Sequence, residues 1–159
     1  MLKTRKNSVL SIVIVFFLII NYFLLHFSFK EKNVITNYIM EYYNELLDEK
    51  QNISSSYTNF NKYYLDKYEE YLTKDLEEKL IESGEMPNID LLNYGRENKI
   101  KSIDLNNIIF IKRDKNIYEV KYDLVLKDNE KKIKLINKEE IYYLKKENNK
   151  FKIDYIKKL

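Results

Sequence analysis

The side chains able to do chemistry are few in kind and poorly arranged for turnover. The chain has no cysteine, and its one histidine, His26, falls in the apolar N-terminal run, so a thiolate nucleophile, a histidine-based triad and an ordinary zinc site are out of reach. Ser54-Ser55-Ser56 lacks the flanking glycines that expose an activated serine on a tight elbow. Only Gly84 and Gly95 are glycines, which leaves no loop to cradle a phosphate. Carboxylates come in adjacent pairs, Glu69/Glu70, Glu77/Glu78 and Glu139/Glu140. In a chain that is 33% charged, such pairs read as solvated faces rather than as a tuned acid and base. The expectation is a non-enzymatic protein with no cofactor and no metal. What the sequence does carry in abundance is tyrosine, 15 residues of it. Each ring offers a rigid apolar area with a polar tip, a chemistry suited to association.

The elements that must position these side chains start with an apolar run from Ser8 to Phe29, preceded by Lys3, Arg5 and Lys6. At about 1.5 Å per residue that run crosses the ~30 Å hydrocarbon core of a bilayer. Cationic flanks stay in the cytoplasm, so Lys3, Arg5 and Lys6 set the orientation. Residues 1–7 are then cytoplasmic, 8–29 form a transmembrane helix, and 30–159 form an extracytoplasmic domain at the cell membrane. Cleavage as a secretory signal is disfavoured. The run exceeds an ordinary signal core, and bulky His26, Phe27 and Phe29 stand where a peptidase needs small residues.

Charge is segregated beyond the anchor. Residues 31–95 hold 6 cations and 14 acids, whereas 96–159 hold 18 and 11. The two halves should attract each other within one fold, and the near-neutral total, outside the cytoplasm, argues against nucleic acid as a partner.

Periodicity divides the domain at about residue 95. In the helical half, Val34, Ile35, Tyr38, Ile39, Tyr42 and Leu46 fall within about 140° of one helical face. Tyr57, Phe60, Tyr64, Tyr68 and Tyr71 make a second stripe, and Thr73 to Ser83 a third piece ended by Gly84 and Pro87. From residue 96 the period is two. Tyr118, Val120, Tyr122, Leu124 and Leu126 point one way, and Glu119, Lys121 and Asp123 the other. Ile100–Lys112, Lys132–Lys145 and Lys150–Lys157 read as strands too, joined by Asn- and Asp-rich turns. Apolar parity slips between Ile133/Leu135 and Tyr142/Leu144, which predicts a bulge near Asn137–Glu140. The fold class is α+β: an N-terminal transmembrane helix, then two to three helices packed on a bent four-stranded antiparallel meander.

That order, closing on Ile141-Tyr142-Tyr143-Leu144 and Phe151-Lys152-Ile153-Asp154-Tyr155-Ile156, resembles the nuclear-transport-factor-2-like, cone-shaped superfamily. More narrowly it is similar to extracytoplasmic members with one N-terminal anchor, including VirB-type assembly factors of type IV secretion. The resemblance implies a sheet wrapped round the helices to leave a pocket, used by some members for catalysis and by many for binding or assembly. The function expected is a protein-binding or scaffold domain in an envelope assembly such as a conjugation or secretion channel. Its partners would be the membrane and envelope proteins or a second copy. The alternative is a small-ligand-binding or cryptic catalytic pocket. A scaffold should have a filled cone, whereas a pocket needs inward polar groups among apolar neighbours. Tyr43 and Tyr63 lie off the main apolar stripes and are, with Tyr94, the candidate partner contacts.

Overall fold

In the computed structural model, the residues described are Val15, Phe16, Leu18, Ile19, 29–44, Leu47, 57–86, 89–129 and 131–159. The orienting residues Lys3, Arg5 and Lys6, the cytoplasmic stretch 1–7 and most of 8–29 lie outside them. Val15, Phe16, Leu18 and Ile19 are helical and exposed. Among the described residues no helix is long and apolar enough to cross a membrane.

Among the described residues four helices and four strands follow: α1 (29–44), α2 (Tyr57–Tyr68), α3 (Lys74–Glu82), α4 (Ile89–Glu97), β1 (Ser102–Asp114), β2 (Ile117–Asp128), β3 (Lys131–Glu147) and β4 (Lys150–Lys158). The strands form one antiparallel sheet in the order β1-β2-β3-β4. The fold is α+β, and the described residues hold four helices where two to three are expected.

Burial of α1 follows its apolar spacing. Ile35, Tyr38 and Ile39 are buried. Tyr43 is buried as well, which corrects its expected place on the surface. It stands two turns beyond Ile35, about 40° past the edge of the anticipated stripe, and the sheet covers an arc wide enough to take it in. Four residues before Ile35, the same row holds Glu31, also buried. Its Oε2 accepts a hydrogen bond from the Tyr118 hydroxyl and pairs with Lys112 at 3.6 Å. One end of α1 is thereby tied to the β1–β2 hairpin. A second bridge between the acidic and basic halves joins Glu85 to Lys158.

Helix α3 stops where its sequence directs. Gly84 adopts φ +71°, its N–H donates to the Ile81 carbonyl at 3.1 Å, and Glu85 N–H donates to Leu80 at 2.9 Å. These bonds satisfy carbonyls that the last helical turn leaves open. Before α3, Leu72 pairs with Ile153 of β4, and Thr73 N–H donates to the Ile153 carbonyl at 2.9 Å, fixing the α2–α3 corner to the sheet edge. The β3–β4 hairpin turns on Asn148 and Asn149, both at positive φ, as a two-residue turn of that hand requires.

The β2 phase is as read from its alternation: Tyr118, Val120, Tyr122, Leu124 and Leu126 are all buried against the helices. The bulge anticipated near Asn137–Glu140 is absent. The β2–β3 register runs unbroken from Ile117/Tyr143 to Leu126/Lys134, and the irregularities fall at Asn106/Ile109, Lys112/Asp114, Leu126/Lys127 and Tyr143/Leu144 instead. Ile133 and Leu135 face outward at 39% and 43% exposure. The inner row of β3 is therefore Ile136, Lys138, Glu140, Tyr142 and Leu144. Two charged residues take core-facing positions, and that is what made the parity look broken.

Candidate functional site

Those inward charges line a cavity of about 500 Å³ between α1, α3, β3 and β4. Its apolar lining includes Tyr38, Ile39, Tyr42, Leu76, Leu80, Ile136, Tyr142 and Ile156. Three elements contribute one row each, α1 every third or fourth residue, α3 Leu76, Lys79, Leu80 and Ser83 one turn apart, and β3 every second residue, while β4 adds Tyr155, Ile156 and Lys158.

The polar centre is Glu140, buried at 7% exposure. Tyr122 donates its hydroxyl hydrogen to Glu140 Oε2 at 2.7 Å, and the Tyr142 hydroxyl donates to the same oxygen. Tyr43 extends the cluster from α1. Its hydroxyl shares a hydrogen bond with that of Tyr122, and their ring centroids lie 6.4 Å apart at 65°. Both hydroxyl bonds on Glu140 converge on Oε2, and neither reaches Oε1. A carboxylate out of water needs such donors, because stripping its solvation without them costs several kcal/mol on the order of the full desolvation penalty. Burial, seconded by the Glu140 carboxylate, holds the Tyr43 and Tyr122 phenols far above their ordinary range, and Tyr142 likewise. The three hydroxyls keep their protons and act as hydrogen-bond donors and dipoles, not as acids.

The cavity lining is basic, with Lys79, Lys134, Lys138 and Lys158 against Glu85 and Glu140. Lys158 is paired with Glu85, whose backbone carbonyl accepts a hydrogen bond from Tyr42 at 3.2 Å. Lys134 lies over the Tyr94 ring, 4.5 Å from its centroid. Lys79 and Lys138 form no ion pair among the described residues.

No family model, curated protein or solved structure matches this chain.

The tyrosines singled out from the sequence do not assemble into one surface. Tyr43 is in the polar cluster, Tyr63 is exposed on α2, with Lys67 Nζ 5.9 Å from its ring centre, and Tyr94 is half-buried under Lys134. Reading all the adjacent acids as solvated holds for Glu69, Glu70 and Glu78, which are exposed, but is corrected for Glu140 and Glu77, both buried. Pairing partners on β2 decide the difference at β3. Glu139 faces Lys121 on the outer side, where the two pair at 2.8 Å, while Glu140 faces Val120 on the inner side. The signal available in the sequence was the parity itself: counting back by two from Leu144 and Tyr142 lands on Glu140 and Lys138.

The outer face carries its own polar lattice. Glu119 accepts from Arg113 Nε at 2.6 Å and pairs with Lys121 at 3.3 Å. The Arg113 bonds hold the Glu119 carboxyl below its ordinary range. Asp123 accepts from Asn107 at 2.7 Å and from Asn137 at 2.5 Å, which spans β1 to β3. These groups are satisfied by one another across neighbouring strands, and Glu119 is itself buried. Among the described residues no group of three or more His, Cys, Asp or Glu could hold a metal ion.

Proposed function

We propose that this chain is a membrane-anchored extracytoplasmic domain that binds a small organic ligand in the cavity between α1, α3 and the sheet. One observation carries the reading: a cavity of about 500 Å³, walled by aromatic and aliphatic groups, with one buried carboxylate held by two tyrosine hydroxyls. Apolar walls with a few convergent polar groups are what ligand sites have and filled cores lack. Binding rather than turnover is favoured by the lack of any cysteine or histidine beyond residue 30. The anchor rests on the Ser8–Phe29 run behind Lys3, Arg5 and Lys6. The likeness of the element order to the nuclear-transport-factor-2-like superfamily agrees with a pocket in this place.

A second reading, a scaffold that contacts envelope proteins, is favoured by a separate observation. Ile109, Ile133 and Leu135 stand exposed on the outer face of the sheet, away from the helices. The two readings use opposite faces and are separable. Full-length protein in nanodiscs of zwitterionic lipid, titrated with naphthol against empty discs, should show saturable one-to-one binding. Ile136→Trp, which fills the cavity, should abolish it while the thermal melt is retained, and Leu80→Phe should weaken it. Absence of saturable binding, or binding that both variants leave intact, overturns the pocket reading.

A further inference from the structure

The cavity also selects by charge, an inference that rests on the pocket reading above. Of its four lysines, Lys158 is neutralised by Glu85 and Lys134 is seated on the Tyr94 ring, which leaves Lys79 and Lys138 with neither kind of contact among the described residues. Lys138 is half-buried on the inner row of β3, directly opposite Tyr122 and two residues from Glu140. An ammonium held against a low-dielectric wall attracts an anion far more strongly than one in open water, because fewer water dipoles screen it.

At the other pole, Glu140 presents an oxygen that neither tyrosine occupies. A carboxylate oxygen only accepts, so it calls for a donor on the ligand. Lys138 and Glu140 lie on one row of one strand, roughly 7 Å apart at the ~3.3 Å rise per residue of a β-strand. We infer that the ligand is an organic anion with a flat apolar body, an acid group met by Lys138 and Lys79, and a hydroxyl or amine donor near its other end for Glu140. A plain fatty acid, which lacks the donor, and an organic cation both fit this pattern poorly.

A hydroxynaphthalene sulfonate with its two polar groups on opposite ends has this pattern and serves as the probe. Naphthol and naphthalene sulfonate each lack one pole. With the full-length protein in zwitterionic nanodiscs, measured by equilibrium dialysis, the doubly substituted probe should bind roughly tenfold tighter than naphthol, the usual value of one charge-assisted hydrogen bond. Lys138→Met combined with Lys79→Met, which keeps the aliphatic stems, should remove that advantage, so that the hydroxynaphthalene sulfonate and naphthol bind the double variant alike. Lys74→Met, on an exposed position of α3, should change neither. Glu140→Gln should weaken the hydroxyl-bearing sulfonate more than naphthalene sulfonate. If naphthol binds and Ile136→Trp blocks it, but the sulfonate adds no affinity or the lysine variants leave it untouched, the charge inference falls while the pocket stands. If no probe binds saturably, the pocket reading falls first.

Discussion

Glu77 gives the sharpest physical test. Its side chain is 3% exposed, and its Oε1 and the neighbouring Thr73 Oγ1 are buried without a hydrogen-bond partner among the described residues. Burial pushes its carboxyl up from 4.5 to about 7; Lys152 opposes the rise, and Glu69, Glu78 and Asp66 add to it. Folding therefore strengthens proton binding, and the sign follows. Below about pH 4.5 both states are protonated and the domain has its full stability. Between there and about 7 the unfolded chain has released a proton that the folded chain retains, so stability falls as pH rises, and above about 7 it stays low. At about 1.4 kcal/mol per pH unit, the whole shift sets an upper bound of about 3 kcal/mol. Screening by water and by Lys152 reduces the expected value to about 1 to 2 kcal/mol. Glu77→Gln keeps the shape and removes the charge. Urea melts of wild type and variant should nearly coincide at pH 4.5, with the variant more stable by that amount at pH 8. Taking the difference cancels every other titrating group. A variant equally destabilised at both pH values would show that Glu77 is charged and well partnered in the fold, and the burial argument would be wrong.

Four further outcomes follow from the packing. Tyr122→Phe removes one of two hydroxyl donors from the buried Glu140 and should cost about 1 to 3 kcal/mol in a denaturant melt, more than Tyr63→Phe on the exposed face of α2. Gly84→Ala should cost about 1 kcal/mol from backbone conformation alone, because φ is +71° and an added Cβ meets nothing within 4 Å. Ile153→Ala, at 0% exposure beneath the α2–α3 corner, should cost about 2 to 5 kcal/mol by thermal unfolding. Alkaline carbonate should leave the full-length chain in the membrane pellet, and external protease should reach the domain beyond residue 30; release of a shortened soluble protein would refute the anchor.

The local alternation of β2 was enough to place its core face, since side chains on a strand alternate whatever else the fold does, and Tyr118 to Leu126 obeyed it. Turn chemistry behaved the same way. Asn148 and Asn149 at the last hairpin and Gly84 after α3 are residues that tolerate positive φ where the backbone needs it. These are short-range effects, visible in a dozen residues. Tertiary structure alone decided the rest. Tyr43 reads as a surface residue on an isolated helix and becomes part of the core because the sheet covers a wider arc than one apolar stripe. Glu139 and Glu140 are chemically alike and adjacent, yet strand pairing turns one toward Lys121 and the other toward Tyr122 and Tyr142. A buried carboxylate survives only where remote residues bring donors to it. Those donors come from β2 and from β3 itself, with Tyr43 of α1 behind Tyr122, so no single stretch of sequence displays the site.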